Sequence, residues 1–411
     1  MPTFHKINTS FSYLYPINQT MSKSPIVRRS MAPAVGKALR QFPIVSITGP
    51  RQSGKTTLAH LAASGYTYLN MELEEHSYFA RKDPVSFLQQ YAYKVILDEV
   101  QAVPSLFPYL QQHTDKLGKN GAYLLSGSQN FQLLESISQT LAGRVAVFSL
   151  LPLSMAEIFP YLRSSQKNWK QLCLKGFYPR LFREKINPGI FFNSYLKTYV
   201  EKDVRQVLNI HNARAFTQFI KLCAIRTGTV LNTQDIATAT GVDNKTINRW
   251  VAVLEASYIL HLLPPYYNNF DKRIVKKPKI YFYDTGLLCS LLGISTETGL
   301  QNHKMLGSIF ENFIINEKLK QYYNKGLSPA FYFWQDTNGR EVDLLIEEDK
   351  LLVHEIKSST VVKPEFFKNI NLFSSIAKDA GIKTKKYLIN TGDKSYQIKN
   401  TGVQSWLGLS E

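Results

Sequence analysis

Apolar positions along this chain fall into three kinds of pattern. Short unbroken apolar runs come first. FPIVSI (Phe42–Ile47) suits a buried parallel strand, and a glycine-bearing loop separates it from TTLAHLAAS (Thr56–Ser64), whose spacing is helical. YKVILDEVQ (Tyr93–Gln101) reads as a second apolar strand, ending in two carboxylates, and AYLLSGSQN (Ala122–Asn130) as a third. Helical periodicity dominates the middle of the chain. Asn232 or Thr233 caps a short helix containing Ile236 and Ala237, and Gly241 supplies a tight turn. Asn244–Leu254 then places Ile247, Trp250, Val251 and Leu254 on one helical face. The run YILHLL and the later KIYFYD (Lys279–Asp284) predict a pair of strands. Leu306–Tyr323 reads as an amphipathic helix with Glu311 near its start.

Strict alternation marks the third pattern, Phe331–Ser359, which flanks an acidic turn at Glu348–Lys350. Pairing Glu347 with Leu351 sets Asp343 opposite Glu355 and Glu341 opposite Lys357. Those four then share one face, and Val342, Leu344, Ile346 and Ile356 form the core face. A two-residue turn would instead put Asp343 and Glu355 on opposite faces.

At 411 residues the chain is long enough for two to three domains, each able to fold on burial alone. The expected division is a disordered tail over 1–25, then domains over 26–165, 166–295 and 296–411. Cys173, Cys223 and Cys289 are far apart among apolar neighbours, which suits buried thiols in a reducing cytoplasm and excludes a disulfide scaffold. A net charge of +18 makes polyanions natural partners, nucleic acid first and an anionic membrane surface second. No apolar run approaches the roughly 18 residues of a membrane span. The first residues lack the pattern of a signal peptide, and either Met1 or Met21 can be the start.

The loop after Phe42–Ile47 carries the most specific chemistry. Gly49, Gly54, Lys55 and Thr56 satisfy G-x-x-x-x-G-K-[ST] between a strand and a helix, where backbone N–H groups surround a polyphosphate. Gly49, Pro50, Arg51, Gln52, Ser53, Gly54, Lys55, Thr56 and Thr57 are thus the expected nucleotide-binding residues. Lys55 reaches the β- and γ-phosphates and Thr56 offers its hydroxyl to Mg2+. Asp98 suits the shell of that Mg2+, and Glu99 beside it suits the base that polarises the attacking water. Ser126 or Ser128 is either a sensor near the γ-phosphate or part of a plain turn. LSGSQ (Leu125–Gln129) is similar to the signature of ABC transporter ATPases, but there it precedes the carboxylate strand and here it follows. Arg144 is either an arginine finger or a surface arginine.

In this order GPRQSGKTT, VILDEVQ, LLSGS, LAGRV and LPLSMAEI resemble the bacterial and archaeal AAA-type ATPases that carry a C-terminal domain of unknown function. GFYP (Gly176–Pro179) and YVEKDVRQVL (Tyr199–Leu208) extend the resemblance into the middle of the chain. It implies binding and hydrolysis of ATP, and an Arg144 finger acting across a subunit boundary in a homo-oligomer. The expected fold class is α/β: a P-loop NTPase core of AAA type, a winged-helix middle domain and an α/β restriction-endonuclease-like C-terminal domain.

Two further functions follow from the later segments. In a winged helix that binds DNA, Lys245, Asn248 and Arg249 face a groove, and a basic wing with Lys272, Arg273, Lys276, Lys277 and Lys279 contacts phosphates. The same fold also serves for packing or for binding protein. In the C-terminal hairpin, Asp343, Glu355 and Lys357 resemble a nuclease centre: the carboxylates hold Mg2+ or Mn2+, Glu311 adds a ligand and the ammonium orients water. A salt-bridged strand pair of Glu341 with Lys357, or a nuclease-derived domain that only binds, accounts for the same residues.

Overall fold

The computed structural model describes residues 27–127, 140–198, 212–266, 275–328 and 330–410. Ser128, Gln129, the Tyr199–Leu208 motif, Lys272 and Arg273 lie outside them.

The expected α/β core is observed. Strands β1 (Ile44–Thr48), β2 (Thr67–Asn70), β3 (Val95–Asp98), β4 (Tyr123–Gly127) and β5 (Val145–Ser149) form a parallel sheet in the order β2-β3-β4-β1-β5. Apolar runs build it because both faces are covered. Ile44, Leu97 and Leu125 pack on one side with Leu110 of the helix Phe107–Leu117. Val45, Ile96 and Leu124 pack on the other with Val35 of the helix Ala32–Leu39 and Leu58 of the helix Lys55–Ala62. All strands point the same way, so the C-terminal ends of β1, β3 and β4 lie at one edge, where such sheets place ligands.

The middle of the chain supplies the helices Ala213–Ile225, Thr233–Thr240 and Asn244–Ala256. Asn232 caps the second by accepting from Gln234 N, and Gly241 ends it in the left-handed region. Ile247, Trp250, Val251 and Leu254 are buried as expected, and Trp250 packs on Phe216 and Phe219. Strands β6 (Leu260–Leu263) and β7 (Lys279–Phe282) pair antiparallel. The GFYP turn is fixed by packing: a Cβ on Gly176 would come within 2.6 Å of Asp284 and Phe192.

A second, mixed sheet forms the C-terminal domain. It comprises β8 (Phe331–Gln335), β9 (Glu341–Glu347), β10 (Leu351–Lys357), β11 (Thr384–Asn390), β12 (Tyr396–Ile398) and β13 (Thr401–Ser405), in the order β12-β13-β11-β10-β9-β8. Leu351 pairs with Glu347 and His354 with Leu344, the register read from the alternation. One detail differs. Leu344, Ile346 and Ile356 join the largest buried cluster, whereas Val342 packs with Leu345 and Val353 on the opposite side. A bulge against β8, where the register shifts between Tyr332 and Trp334, breaks the alternation.

The middle module is built into this sheet. Tyr266 N donates to Phe333 O at 2.7 Å and Phe333 N to Pro264 O at 3.0 Å, so the chain after β6 lies along β8. The largest buried cluster runs from Val27 to Leu409 and crosses residue 295.

Candidate nucleotide site and C-terminal carboxylate centre

The cradle starts where β1 ends. Gly49 has φ +149, and a Cβ there would come within 2.2 Å of Leu150 O, so only glycine fits. Gly54 adopts φ 92 and begins the helix Lys55–Ala62 with no side-chain cap, leaving its first N–H groups for an acceptor. The buried Ser53 Oγ likewise has no hydrogen-bond partner among the described residues. Lys55 is 5% exposed, and its Nζ donates to Gly49 O at 3.1 Å and Pro50 O at 2.9 Å. Burial lowers its pKa to about 8, against the opposing pull of Glu99 and Asp98.

Asp98 is the hub of the site. Thr56 Oγ1 and Tyr68 Oη each donate to Asp98 Oδ2 at 2.8 Å, and Ser126 Oγ donates to Oδ1. Sheet order explains this gathering, because β3 lies between β2, which carries Tyr68, and β4, which carries Ser126. Glu99 sits in the left-handed region at φ 52 and accepts from Gln101 Nε2. The structure thus brings Lys55, Thr56, Asp98, Glu99 and Ser126 to one edge of the sheet. Open helix N–H groups, an ammonium, a hydroxyl and a buried carboxylate suit a polyphosphate with its Mg2+.

Arg144 is placed elsewhere. Its carbonyl accepts from Ile44 N, at the start of β1, which puts it at the far end of the sheet from Gly49. A strand of this length spans about 16 Å, so Arg144 does not reach the cradle of its own chain. Its guanidinium pairs with Asp115, at 2.6 and 3.0 Å.

Three residues escaped the sequence reading. Tyr68, on the Asp98 side chain, belongs to no motif, and Gln101, on that of Glu99, closes the VILDEVQ segment, whose pattern assigns it no role. Arg29 is the third. Its Nη1 donates to Ser53 O in the cradle, Nη2 to Leu151 O at 2.8 Å and Nε to Glu157 at 3.0 Å. Glu157 caps the short helix Met155–Ile158 through Ser154, and Met155 N donates to Glu317 at 2.7 Å. Glu317 pairs with Lys320 at 2.7 Å, and both lie on the long helix Leu306–Tyr323 beneath the second sheet. An unbroken buried polar chain therefore links the cradle to the C-terminal domain. Tyr258 makes a second link, 2.8 Å from Thr48 Oγ1 and 3.0 Å from Ser149 Oγ.

In the middle module Lys245, Asn248 and Arg249 are exposed on the helix Asn244–Ala256, as are Lys276 and Lys277 before β7. Lys279 differs from expectation. It is 1% exposed, and its Nζ pairs with Glu311 at 3.3 Å and with Glu341. Pairing with β6 turns its side chain inward to the second sheet, away from any phosphate backbone.

The C-terminal carboxylates do converge. Oxygens of Glu311, Glu341 and Asp343 lie within 4.8 Å of one another. Lys357 Nζ lies 2.6 Å from Glu355 and 3.4 Å from Asp343, so its partners are these two and not Glu341. Ile356 N also donates to Asp343, at 2.7 Å, and Tyr281 Oη donates to Glu311. Burial, with Asp343 and Glu341 adding, raises the Glu311 pKa to about 7 despite Lys279. Burial and then Asp343 raise that of Glu355 to about 8 despite Lys357. Burial disfavours charge on Lys279, but Glu311, Glu341 and Asp343 outweigh it and hold its pKa above the ordinary value. A divalent ion asks for a shell of free oxygens. Here an ammonium holds one oxygen of each of the four carboxylates, and the buried Lys279 Nζ sits on both Glu311 and Glu341, so as folded the centre already contains a cation.

Three stretches of the chain match known families. Residues 41–159 match the AAA domain family, residues 166–298 a domain of unknown function (DUF8612) and residues 306–408 another (DUF4143). The uncharacterized protein Rv2008c of Mycobacterium tuberculosis is 30% identical over 326 residues, covering 78% of this chain and 71% of that protein. The uncharacterized protein Mb2031c of Mycobacterium bovis matches over 326 residues with the same 30% identity and the same 78% and 71% coverage. The Walker-type ATPase PABY2304 of Pyrococcus abyssi aligns at 13% identity with a TM-score of 0.43, over 65% of this chain and 96% of that one. AMPPCP-bound DnaA from Aquifex aeolicus aligns at 18% identity with a TM-score of 0.25, over 54% of this chain and 86% of that one. No helix among the described residues is long and apolar enough to cross a membrane.

Proposed function

Because the chain belongs to the AAA-type ATPases that carry a C-terminal domain of unknown function, we propose that it hydrolyses Mg-ATP and transmits its nucleotide state to the two C-terminal modules. The observation that carries this reading is the Arg29 bridge, which joins the cradle carbonyl of Ser53 to Glu157 and onward to the long helix.

Each residue at the sheet edge has a part. Gly49 to Thr57 wrap the phosphates with backbone N–H groups, with the side chains of Arg51, Gln52 and Ser53 at their rim. Lys55 Nζ exchanges the carbonyls of Gly49 and Pro50 for phosphate oxygens. Thr56 and Asp98 hold the Mg2+, which when bound neutralises charge on the phosphates. Tyr68 and Ser126 orient the Asp98 carboxylate. Glu99, released by Gln101, takes the proton of the attacking water. Arg144 serves the cradle of a neighbouring copy, since it lies too far from its own.

Arg29 couples this chemistry to the rest. Movement of the Ser53 carbonyl on nucleotide binding shifts a buried guanidinium that has no water to fall back on. The exposed Lys245, Asn248, Arg249, Lys276 and Lys277, with a net charge of +18, favour nucleic acid as the partner of the middle module, read as a winged helix. Cleavage by Asp343, Glu355 and Lys357 is not part of the proposal, because Lys357 is paired with Asp343 and Glu355 while Lys279 holds the neighbouring Glu311 and Glu341.

The test is steady-state ATP hydrolysis by wild type and Glu99→Gln, each with and without DNA over a range of salt. Turnover lost in Glu99→Gln and raised by DNA in a salt-dependent way supports the reading. Binding without turnover points instead to a nucleotide-controlled protein-binding switch.

A further inference from the structure

We infer that Lys279 is the resident cation of the C-terminal carboxylate centre. Its ammonium takes the place a divalent metal ion would occupy, and the domain binds and docks without metal-dependent hydrolysis. The inference goes beyond the ATPase reading and stands independently of it.

The position is built for an ammonium. Lys279 Nζ touches Glu311 and Glu341 and lies 5.5 Å from the centroid of the Phe333 ring. An ammonium gains from two carboxylates and an aromatic face together. A divalent ion gains nothing from the ring, because it seeks oxygen on every side. The stem is equally well fixed, since Lys279 pairs with Leu263 across the β6–β7 ladder and bridges to Val230. Two residues on, and therefore on the same face of β7, Tyr281 donates to Glu311 as well. One strand of the middle module thus presents both a cation and a hydroxyl to the same carboxylate.

The pairing agrees. Lys357 holds Asp343 and Glu355, and Lys279 holds Glu311 and Glu341. Glu355 Oε2 is buried with no hydrogen-bond partner among the described residues. The consequence reaches past the site. Because β7 belongs to the middle module while Glu341 lies on β9, the lysine is an ionic lock between the two modules.

Removing the tethered cation should expose the vacancy it fills. Glu311 and Glu341 would then face Asp343 within 4.8 Å with only Lys357, on Asp343, as counter-charge, an arrangement that invites a divalent ion. The experiment is Mn2+ titration of the full-length, nucleotide-free protein, followed by electron paramagnetic resonance of the free ion. Wild type is expected to take up no Mn2+. Lys279→Ala is expected to bind Mn2+ at least about tenfold more tightly than wild type, and Lys279→Ala with Glu341→Gln to lose that gain. Uptake of Mn2+ by wild type that Glu341→Gln abolishes overturns the inference, as does folded Lys279→Ala that takes up none. If Lys279→Ala does not fold, Lys279→Met with Glu311→Gln and Glu341→Gln decides. Recovery of the fold supports the lysine as counter-ion, and failure to recover it counts against.

Discussion

Tyr258 Oη lies 2.8 Å from Thr48 Oγ1, the last residue of β1 before the phosphate loop. Tyr258 follows directly on the helix Asn244–Ala256 and its Ser257 cap, and it holds a left-handed backbone at φ 56, unusual for a tyrosine. The middle module is therefore pinned to the strand that feeds the cradle. Tyr258→Phe removes the hydroxyl and leaves Ser149 Oγ without that partner, while Thr48 keeps Phe148 O at 3.3 Å. Denaturant unfolding should show a loss of about 1–2 kcal/mol.

Arg29 and Glu157 form a pair with side chains 3% and 0% exposed. Breaking such a pair from one side strands a buried charge, and Arg29→Ala should cost about 3–5 kcal/mol in chemical denaturation. Because the two residues share one network, Arg29→Ala and Glu157→Gln together should cost less than the separate losses combined. Simple additivity in that cycle would contradict the relay.

Tyr68 touches Asp98 and none of the cradle backbone in the described contacts, so it is a positioning residue. Tyr68→Phe should raise the Mg2+ concentration needed for half-maximal ATP hydrolysis by about tenfold or more. KM for ATP at saturating Mg2+ should stay near the wild-type value. A purely structural role would lower stability and leave the Mg2+ dependence where it was.

Two histidines set the response to acid. Burial pushes His261 down to about 4, and burial followed by the Lys318 charge holds His354 well below its ordinary value of 6.5. Both are neutral in the folded protein while the unfolded chain takes up protons below about pH 6.5, so the stability these two contribute falls as pH drops from there towards 4, whereas the raised carboxyls of Glu311 and Glu355 act in the opposite direction. Thermal unfolding of wild type and His261→Gln across that window should differ accordingly, with wild type losing more stability as pH falls.

The legible parts of this molecule were those set by local pattern. Apolar runs announced β1, β3 and β4, and the spacing from Gly49 to Thr56 announced the loop between strand and helix. Alternation around Glu348 to Lys350 carried the β9–β10 register, because a half-buried hairpin tolerates few pairings. The bulge beside Asp343 was not legible, since the neighbouring strand β8 creates it. Nor were the tertiary partners: Arg29 meets Glu157 across 128 positions, and Lys279 meets Glu341 across 62. Lysine in a basic segment reads as a surface charge, and only the docking of β7 on the second sheet turns Lys279 inward. Arg144 shows the converse limit, because its motif does not reveal that its guanidinium pairs with Asp115 at the far end of β1.

The most direct measurement is titration calorimetry of Mg-ATP into the folded protein, with Lys55→Ala and Arg29→Ala alongside. The account predicts saturable binding by wild type, weakened at least about tenfold by Lys55→Ala. It also predicts that Arg29→Ala, where folded, binds Mg-ATP but loses the nucleotide-induced change in protease sensitivity of the C-terminal domain. Absence of binding by wild type, or binding indifferent to Lys55→Ala, would contradict it.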